Sequence, residues 1–386
     1  MINIIADDKI PFLKGALEPF ASIRYMDARE IDREAVANAD ALLIRTRTLC
    51  NELLLRGSRV KFIGTATIGV DHIDTGYCDA NSIRWTNAPG CNAASVQQYI
   101  ASVLANLVIR HDYSLYGKTL GIIGVGHVGK KVETLARLLG MNILLNDPPR
   151  ARTEGNSGFV SLEGILKESD IISLHVPLIR TGEDKTLSMI NENTLGLFKT
   201  GSWLINTSRG EVLEGGALKS VLSAGKLSGA VLDVWENEPS VDLQLLDKVM
   251  IATPHIAGYS IDGKRNGTIQ VVRSLGEYFG LPLMSWEPSP VPEPDQPVIV
   301  LDCKDNSLEK NICHAILQTY DVSEDDLRFR ADPGNFESFR DNYPVRREFP
   351  AYKLVIRNGT DHFIKTIKNL GFRVIPPEQE DLNYPE

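Results

Sequence analysis

A glycine-rich segment near the middle of the chain has the residue types that bind the phosphates of a dinucleotide. It contains Gly124-x-Gly126-x-x-Gly129, between a predicted strand at residues 119–123 and a predicted helix. Glycines let backbone amides approach a pyrophosphate closely, and the start of a helix adds partial positive charge and unpaired N–H groups. The same glycines are also compatible with a plain tight turn between a strand and a helix. The next strand decides between these two interpretations.

A carboxylate at the end of that next strand favours a dinucleotide, and NAD in particular. Residues 142–146 form the predicted strand, and Asp147 follows it at close to the spacing of about 20 residues at which an acidic side chain binds the adenosine ribose. Such a carboxylate repels the additional phosphate of NADP. Arg150 and Arg152 lie close behind and could in principle bind that phosphate, and Asp147 could instead be a solvated loop residue. We expect NAD as the cofactor.

Three later segments resemble the D-isomer-specific 2-hydroxyacid dehydrogenases. They are Asn206–Gly210, Leu232–Pro239 and Thr253–Gly258. The resemblance places Arg209, Glu238 and His255 where that family has its catalytic residues. Taken singly, each of the three has a plainer explanation, as a surface arginine, an exposed acid before a proline or a loop histidine. Together, in the order of the family, they predict an active site.

The oxidation of a secondary alcohol by loss of hydride also requires these three residue types. Histidine can accept the hydroxyl proton near neutral pH, so we expect His255 to be the general base. The resemblance gives Glu238 the role of the acidic partner that orients the imidazole and stabilises the imidazolium. A guanidinium can hold the carboxylate of an α-hydroxy acid in two directions and polarise the oxygen at C2, and Arg209 fits this role. The nicotinamide carries the hydride.

The resemblance also implies contacts with the cofactor and with the substrate. Besides the three glycines, Asp147 and Arg209, the residues that it assigns to the NAD site are His127, Val128, Val176, Thr207, Ser208, Asp233 and Gly258. The residues that it assigns to the substrate are Thr46, Thr67 and Tyr259. The hydroxyl groups of these last three side chains suit a substrate that itself has several hydroxyl groups.

Further features within the family favour a phosphorylated substrate. They are the segments Gly64–Asp74 and Pro254–Lys264 and an additional C-terminal domain that contains Tyr343–Glu348. These features resemble those of family members that oxidise 4-phospho-D-erythronate in the synthesis of pyridoxal 5′-phosphate. A substrate with a carboxylate and a phosphate requires further cations in its binding site, because both charged groups are desolvated when the substrate binds. Our candidates are Arg45, Arg346 and Arg347, although the last two could instead be a solvated basic pair.

Two other functions stay open at this point. A related dehydrogenase for 3-phosphoglycerate, glycerate or glyoxylate would share the catalytic residues and the cofactor site. Two features of the sequence, Tyr259 and the additional C-terminal domain, argue against this alternative. An NAD-sensing corepressor of the same fold would keep the catalytic residues but use a protein-binding cleft, and it predicts a disordered regulatory tail. The folded character of the C-terminal pattern favours the enzyme.

Short β-branched runs alternate with helix-length segments along most of the chain, which predicts parallel sheets. The predicted strands before the proline-rich stretch are at residues 2–6, 41–45, 62–65, 83–87, 119–123, 142–146, 170–175, 202–206, 230–233 and 249–252. An amphipathic helix at residues 92–110 suits a link between two lobes, and another is predicted at residues 264–279. The predicted class is therefore α/β, with two Rossmann- or flavodoxin-like parallel-sheet domains.

The predicted domain boundaries follow from what the resemblance implies and from the proline-rich stretch. Residues 1–92 with 264–286 form the flavodoxin-like substrate domain, and residues 93–263 form the NAD-binding Rossmann domain. The prolines in residues 287–297 forbid helix and central strand, so this stretch is a stiff linker. Residues 298–386 have the pattern β-α-α-β-α-β of a small C-terminal α/β domain, through which the resemblance implies a homodimer.

The composition is that of an ordinary globular protein, since 43% of the 386 residues are hydrophobic and 24% are charged. A formal net charge of −9 argues against binding to nucleic acid or to anionic membranes, because both would repel the chain. The five cysteines have no metal-binding spacing, so we expect reduced thiols, no metal and a cytoplasmic protein. We expect neither a targeting segment nor a membrane helix, because the required basic and apolar runs are absent from the sequence.

Overall fold

The structure is a computed structural model that describes residues 1–155, 157–304 and 307–376. Internal contacts divide the chain into two units, Met1–Asn92 with Ser260–Pro292 and Ala93–Tyr259 with the chain from Glu293 onward. The predicted α/β class is confirmed, because the pairings between the described strands are parallel in all three sheets. The finer division into four segments stays a prediction. Residues 377–386 of the predicted C-terminal domain lie outside the described part.

The first unit is built on a five-stranded sheet with the order β2-β1-β3-β4-β5. Its elements before residue 92 are β1 Ile2–Asp7, β2 Ala21–Met26, α1 Arg33–Val36, β3 Ala41–Ile44, α2 Glu52–Leu55, β4 Phe62–Thr65, α3 Thr75–Ala80 and β5 Arg84–Thr86. The four strands that the sequence predicts here are confirmed. The sequence does not predict β2, because the charged Arg24 interrupts the apolar pattern of this short edge strand.

The second unit begins with a six-stranded sheet of the order β11-β10-β9-β8-β6-β7. Its elements up to residue 259 are α4 Ala93–His111, β6 Thr119–Ile123, α5 His127–Leu138, β7 Asn142–Asn146, α6 Pro148–Glu154, α7 Leu162–Glu168, β8 Ile171–Leu174, α8 Glu192–Leu197, β9 Trp203–Asn206, α9 Gly215–Ser223, β10 Gly229–Leu232, α10 Leu243–Leu246 and β11 Ile251–Ala252. The six predicted strands and the long helix are confirmed, with ends that differ by one or two residues.

Both large sheets have a point where the strand order reverses, and crevices for ligands form beside such points at the carboxyl ends of parallel strands. In the first unit the reversal lies between β1 and β3, and Arg45 and Thr46 follow β3 directly. In the second unit it lies between β6 and β8, which Gly124 and His175 follow. The segments predicted to bind substrate and cofactor therefore begin at these two reversal points.

Helix α11, Ile261–Phe279, belongs to the first unit and packs against its sheet. A Cβ on Gly267 of this helix would lie 2.6 Å from the carbonyl oxygen of Ala66, a distance that excludes any larger residue. The helix begins three residues earlier than predicted, because the side chain of Ser260 accepts a hydrogen bond from a first-turn amide and so caps it. The close approach at Gly267 holds the helix against the chain that leaves β4.

The C-terminal part of the second unit contains a three-stranded sheet with the order β12-β13-β14. Its elements are β12 Val298–Asp302, α12 Leu308–Leu317, α13 Val322–Ala331, α14 Phe336–Asp341, β13 Lys353–Arg357, α15 Asp361–Leu370 and β14 Arg373–Ile375. Residues 287–297 form neither helix nor strand, as predicted. Ile312, Ala315 and Ile316 of α12 join the same buried cluster as helix α4, so this part packs on the long helix.

Helix α13 is absent from the sequence-based pattern, because its buried face carries carboxylates. Asp325 accepts hydrogen bonds from the hydroxyl groups of Tyr320 and Tyr343, at 2.8 and 2.6 Å. Asp326 accepts one from the backbone N–H of Ala252 at the end of β11, at 2.6 Å. Both carboxylates are buried, at 1% and 8% exposure. The sequence of this helix therefore lacks the periodic apolar residues that predict a buried helix face.

Candidate active site

In the glycine-rich turn after β6, each of the three glycines is explained by a different feature of the structure. Gly124 has a φ of +89°, and a Cβ there would lie 2.5 Å from the carbonyl oxygen of His175. A Cβ on Gly129 would lie 2.2 Å from the carbonyl oxygen of Gly124, so this glycine lets α5 pack close to the turn. A Cβ on Gly126 would meet nothing within 4 Å. The open side of the turn at Gly126 is therefore where a pyrophosphate can approach the backbone.

Asp147 is tied to this turn by its side chain. One carboxylate oxygen accepts a hydrogen bond from the N–H of Val125 at 2.8 Å, and the other accepts one from the N–H of Arg150 at 3.1 Å and caps α6. The guanidinium of Arg150 pairs with Glu154 at 2.6 Å and donates to the carbonyl of Val125 at 2.6 Å. Arg152 also pairs with acidic side chains. Both arginines that could have bound the phosphate of NADP are thus engaged by carboxylates.

His175 lies at the reversal point and joins β8 to the turn after β9. Its Nε2 lies 2.9 Å from the hydroxyl of Ser173, and its Nδ1 lies 3.4 Å from the hydroxyl of Thr207. Burial lowers the pKa of His175 to about 3, so its ring is neutral at physiological pH. The sequence gives no reason to single out this histidine. In the structure its ring contacts Thr207, one of the predicted cofactor residues.

The turn that carries Arg209 is fixed by the side chain of Asn206 at the end of β9. Asn206 accepts hydrogen bonds from the N–H and the hydroxyl of Ser208, at 3.0 and 2.8 Å, and its amide donates to the carbonyl of Arg209 at 3.0 Å. A Cβ on Gly210 would lie 2.0 Å from the carbonyl of Trp235. Only glycine therefore permits this turn to lie against the segment that leads to Glu238.

His255 and Glu238 form a direct pair, with 2.8 Å between Nδ1 and Oε2. The second oxygen of Glu238 accepts a hydrogen bond from the N–H of Trp235 at 2.9 Å, and the indole of Trp235 donates to the carbonyl of Thr253 at 3.0 Å. A carboxylate on Nδ1 makes that nitrogen the N–H donor of the neutral ring. Nε2 is then the nitrogen that can accept a proton.

The charge of Glu238 is maintained by its neighbours. Burial raises its pKa, but the adjacent imidazole of His255, the N–H of Trp235 and the guanidinium of Arg340 outweigh burial and hold the pKa below its usual value. The carboxylate is therefore ionised at neutral pH, where it can stabilise an imidazolium. A permanent charge next to a proton-accepting ring is the arrangement of a general base with its orienting acid.

Asp233 anchors the loop that presents His255. Its carboxylate accepts hydrogen bonds from the hydroxyl of Thr253 at 2.7 Å and from the N–H groups of Ile256 and Ala257 at 2.7 and 2.9 Å. His255 itself has a φ of +57°, a conformation that costs a non-glycine residue on the order of 1–2 kcal/mol. These hydrogen bonds hold that conformation. The predicted contact of Asp233 with the cofactor stays a prediction.

The predicted substrate residues of the first unit lie at the carboxyl edge of its sheet. Arg45 follows β3, and its Nε lies 3.0 Å from the fully buried carboxylate of Asp7. Thr46 is exposed directly beside it. Thr67 follows β4, with 2.8 Å between its hydroxyl and that of Thr65. The trio Arg209, Glu238 and His255 belongs to the second unit.

Arg346 is buried in the second unit at 5% exposure. Its guanidinium donates to the carbonyl of Ala257 at 2.6 Å and to the hydroxyl of Ser95, and it lies 4.4 Å from the ring centre of Tyr320. The neighbouring Arg347 is partly exposed. Direct contact of either arginine with the substrate stays a prediction. The structure shows Arg346 supporting the loop that follows His255.

Arg340 is an additional cation beside the predicted site that the sequence does not single out. Its guanidinium lies 5.5 Å from the ring centre of Tyr259, which the resemblance assigns to the substrate. The ring of Tyr343 meets that of Tyr259 edge to face at 5.9 Å. A single arginine in a segment rich in charged residues carries no motif, so only the folded arrangement reveals this contact.

Known proteins resemble this chain over most of its length. Residues 96–257 match the family model of the D-isomer specific 2-hydroxyacid dehydrogenase, NAD binding domain, and residues 292–371 match a domain of unknown function. Erythronate-4-phosphate dehydrogenase of Bacteroides thetaiotaomicron is 48% identical over 92% of this chain and 99% of that protein. The same enzyme of Porphyromonas gingivalis is 39% identical over 96% of this chain and 100% of that protein. D-lactate dehydrogenase from Aquifex aeolicus, complexed with NAD and lactic acid, has 29% identity, a TM-score of 0.60 and coverage of 72% of this chain and 95% of that chain.

Asp233→Ala is expected to lower the free energy of unfolding by about 3 kcal/mol, because two buried N–H groups and one hydroxyl lose their acceptor. Denaturant unfolding followed by circular dichroism measures the change. Asp233→Asn keeps one oxygen that can accept hydrogen bonds, so its loss should be smaller. Equal stability of the alanine variant and the parent protein would show that this carboxylate does not anchor the loop.

Proposed function

Because this chain belongs to the erythronate-4-phosphate dehydrogenases of the D-isomer specific 2-hydroxyacid dehydrogenase family, we propose that it oxidises 4-phospho-D-erythronate with NAD⁺. The product is 3-hydroxy-2-oxo-4-phosphooxybutanoate, and the reaction belongs to the synthesis of pyridoxal 5′-phosphate. The observation that carries the proposal is the pair of His255 and Glu238, 2.8 Å apart, in a chain similar to these enzymes over more than 90% of its length.

His255 removes the proton from the hydroxyl group at C2 of the substrate through Nε2, since Nδ1 is held by Glu238. The ionised Glu238 stabilises the imidazolium that forms. Arg209 binds the substrate carboxylate and polarises the oxygen at C2, on which negative charge develops. These three side chains position the alcohol and move its proton within one site.

The residues present at the second sheet fit NAD. The turn at Gly124 and Gly129 leaves no space for a Cβ, whereas its side at Gly126 is open, and Asp147 stands behind it as the partner of a ribose. The other residues that would hold NAD are His127, Val128, Val176, Thr207, Ser208, Arg209, Asp233 and Gly258. When bound, the nicotinamide supplies the acceptor for hydride.

We assign the rest of the substrate to hydroxyl groups and cations. Thr46, Thr67 and Tyr259 would bind the hydroxyl groups of the four-carbon chain. Arg45 is our leading candidate for the phosphate, because it stands at the reversal point of the first sheet and is oriented by Asp7. Arg346 and Arg347 are our second candidates for the phosphate. The burial of Arg346 favours a role in supporting the loop after His255 over direct contact with the substrate.

Purified protein with NAD⁺ is expected to reduce the cofactor far faster with 4-phospho-D-erythronate than with 3-phosphoglycerate or D-glycerate. Absorbance of the reduced nicotinamide, measured with and without a 2-oxo acid acceptor, follows the reaction even where cofactor release is slow. NADP⁺ should be the poorer cofactor, because Asp147 repels its phosphate. Faster reaction with a shorter acid would keep the chemistry but reject the substrate, and no reaction with any acid would favour the NAD-sensing corepressor.

Removal of the two members of the catalytic pair should have different effects on the pH profile of kcat/KM. His255→Gln should lower kcat/KM by about 10²- to 10⁴-fold at all pH values, because no base takes the proton. Glu238→Gln should move the low-pH limb to lower pH, because a neutral amide no longer stabilises the protonated ring. The exposed Glu236, changed to Gln, is the control and should leave the limb in place. An unmoved limb in Glu238→Gln contradicts the assigned role.

We also propose that the chain forms a homodimer through its C-terminal sheet. Ile299 and Leu301 of β12 are buried, whereas Val300, on the opposite face of this edge strand, is 37% exposed. Val300→Lys is expected to give a monomer in sedimentation velocity, since a charge cannot be buried against a partner. Leu53→Lys, on an exposed position of the first unit, is the control and should leave the dimer intact. A monomeric parent protein at micromolar concentration would contradict the proposal.

The cytoplasmic location expected from the cysteines stays part of the proposal. All five cysteines are free thiols, and burial raises the pKa of Cys50 and Cys313 to about 12. Thiols with so high a pKa are poor nucleophiles and resist oxidation. In the described part of the chain, no helix is long and apolar enough to cross a membrane.

A further inference from the structure

A chain of hydrogen bonds in the first unit leads from a buried histidine to a residue that is predicted to bind the substrate. Nε2 of His72 lies 3.1 Å from the hydroxyl oxygen of Thr65, which lies 2.8 Å from the hydroxyl oxygen of Thr67. The hydroxyl of Thr67 donates to the carbonyl of Gly69 at 3.3 Å. Thr65 ends β4, and the other members lie in the loop that follows this strand. We call these hydrogen-bonded groups the relay.

The relay runs from the interior of the first unit toward its surface. His72 and Thr65 are buried, at 6% and 0% exposure, whereas Thr67 is half-buried. Neighbouring segments hold the backbone of the loop at both ends. The carbonyl of Thr67 accepts a hydrogen bond from the N–H of Ala88 at 2.9 Å, and the carbonyl of His72 accepts one from the N–H of Cys50 at 2.8 Å. The side chains therefore meet on a fixed backbone.

The number of available protons determines the direction of each hydrogen bond in the relay. The carbonyl of Gly69 has no proton, so the hydroxyl of Thr67 must donate to it. This hydroxyl has no second proton, so the hydroxyl of Thr65 must donate to Thr67. The proton between His72 and Thr65 then comes from the ring. Nε2 of His72 therefore carries hydrogen.

The opposite direction leaves a contact that is not a hydrogen bond. If Nε2 of His72 had no hydrogen, the hydroxyl of Thr65 would donate to it. Thr67 would then have to turn its own proton toward Thr65, and the carbonyl of Gly69 would face a bare oxygen at 3.3 Å. If Thr67 instead kept its proton on Gly69, two hydroxyl oxygens would lie 2.8 Å apart without a proton between them. Only a His72 that donates through Nε2 satisfies the whole relay.

We propose that His72 and Thr65 are positioning residues, which orient the hydroxyl of Thr67 so that it donates a hydrogen bond to the C3 hydroxyl oxygen of the substrate. The inference rests on the proposed function, because it defines how Thr67 binds that substrate. It also gives a task to two residues of the segment Gly64–Asp74 for which the resemblance implies none.

The contact between Thr67 and Gly69 is the one that a substrate can replace. At 3.3 Å it is the longest hydrogen bond of the relay, and it lies at the partly exposed end. An oxygen atom that approaches Thr67 takes over this proton, while the two inner hydrogen bonds stay in place. Thr67 therefore meets the substrate as a donor whose proton is already directed outward.

The substrate group that remains for Thr67 is the hydroxyl at C3. 4-Phospho-D-erythronate has free hydroxyl groups at C2 and C3, and we assign the one at C2 to His255 and Arg209. A hydroxyl oxygen accepts a hydrogen bond while its own proton stays available for another partner. When the C3 hydroxyl is missing, Thr67 returns its proton to Gly69. The relay thus favours a substrate with this hydroxyl without leaving an unpaired group in its absence.

Valine variants of the two threonines test the inference in the full-length protein, because valine keeps the branched shape and removes the hydroxyl. Thr67→Val should raise the KM for 4-phospho-D-erythronate by about 3- to 10-fold with little change in kcat, since one neutral hydrogen bond is lost. Thr65→Val should raise it by up to about threefold, because the proton of Thr67 is no longer directed. The double variant should have the KM of Thr67→Val alone, since Thr65 acts through Thr67. Effects of the two changes that multiply would overturn the relay.

The analogue D-2-hydroxy-4-phosphooxybutanoate, which lacks the hydroxyl at C3, identifies the group that Thr67 binds. Its KM should be the same in the parent protein, in Thr67→Val and in Thr65→Val. A KM for this analogue that rises in Thr67→Val as much as that for 4-phospho-D-erythronate would overturn the assignment to C3.

Variants of His72 test the first member of the relay. His72→Leu should raise the KM for 4-phospho-D-erythronate, because the hydroxyl of Thr65 is no longer fixed by a donor. His72→Gln should restore most of the lost affinity, because its amide presents an N–H close to the position of Nε2. A folded His72→Leu with the KM of the parent protein would remove His72 from the relay.

Thr268→Val is the matched control. The hydroxyl of Thr268 is also buried in the first unit, at 0% exposure, and donates to the carbonyl of Pro11 at 2.8 Å. Its removal should lower the temperature of thermal unfolding and leave the KM unchanged. The same result in Thr65→Val, a less stable protein with an unchanged KM, would show that the relay is only part of the core.

The imidazole nitrogen signals of His72 in nuclear magnetic resonance, assigned with His72→Gln, give a test on the parent protein without turnover. Nε2 should carry hydrogen at neutral pH, and a bare Nε2 would overturn the inference even if a valine variant does not fold. If the parent protein does not oxidise 4-phospho-D-erythronate, the proposed function fails, whereas the ring signals still decide the direction of the relay.

Discussion

The geometry of the predicted active site depends on one buried carboxylate, that of Asp233. It receives three hydrogen bonds from the loop between Thr253 and Ala257 and so fixes the left-handed backbone at His255. Without that backbone conformation, Nδ1 of His255 would not meet Glu238 at 2.8 Å. A residue to which we assign no proton transfer therefore determines the position of the predicted general base.

Two parallel sheets with the same local order, one in each unit, carry the other predicted site residues. In each sheet, the second strand along the chain pairs with one side of the first strand, and the third strand pairs with the other side. The strand order therefore reverses between the first and the third strand, where a crevice forms at the carboxyl edge. The glycine-rich turn occupies this position in the second unit, and Arg45 occupies it in the first. The same topological rule thus applies to the turn that is predicted to bind the cofactor and, in the other unit, to the arginine that is predicted to bind the substrate phosphate.

The sequence predicts most of this arrangement, and the exceptions have physical reasons. Central strands are buried apolar runs and are easily predicted, whereas the edge strand β2 and helix α13 are missed because polar side chains interrupt their patterns. Family motifs locate the glycines and the trio. They do not reveal His175 or Arg340, because neither lies in a motif and both depend on contacts between distant parts of the chain.

The charged side chains of the C-terminal part bind backbone groups of the sheet that carries the trio. Arg346 donates to the carbonyl of Ala257, Asp326 accepts from the N–H of Ala252, and Arg330 donates to the carbonyl of Val249 at 2.8 Å. Buried charges of this kind contribute little net stability, but displacement would leave each of them unpaired. They therefore specify one register between the C-terminal helices and the loop of His255. The same register places Arg340 of the C-terminal part beside Tyr259, a residue that is predicted to contact the substrate.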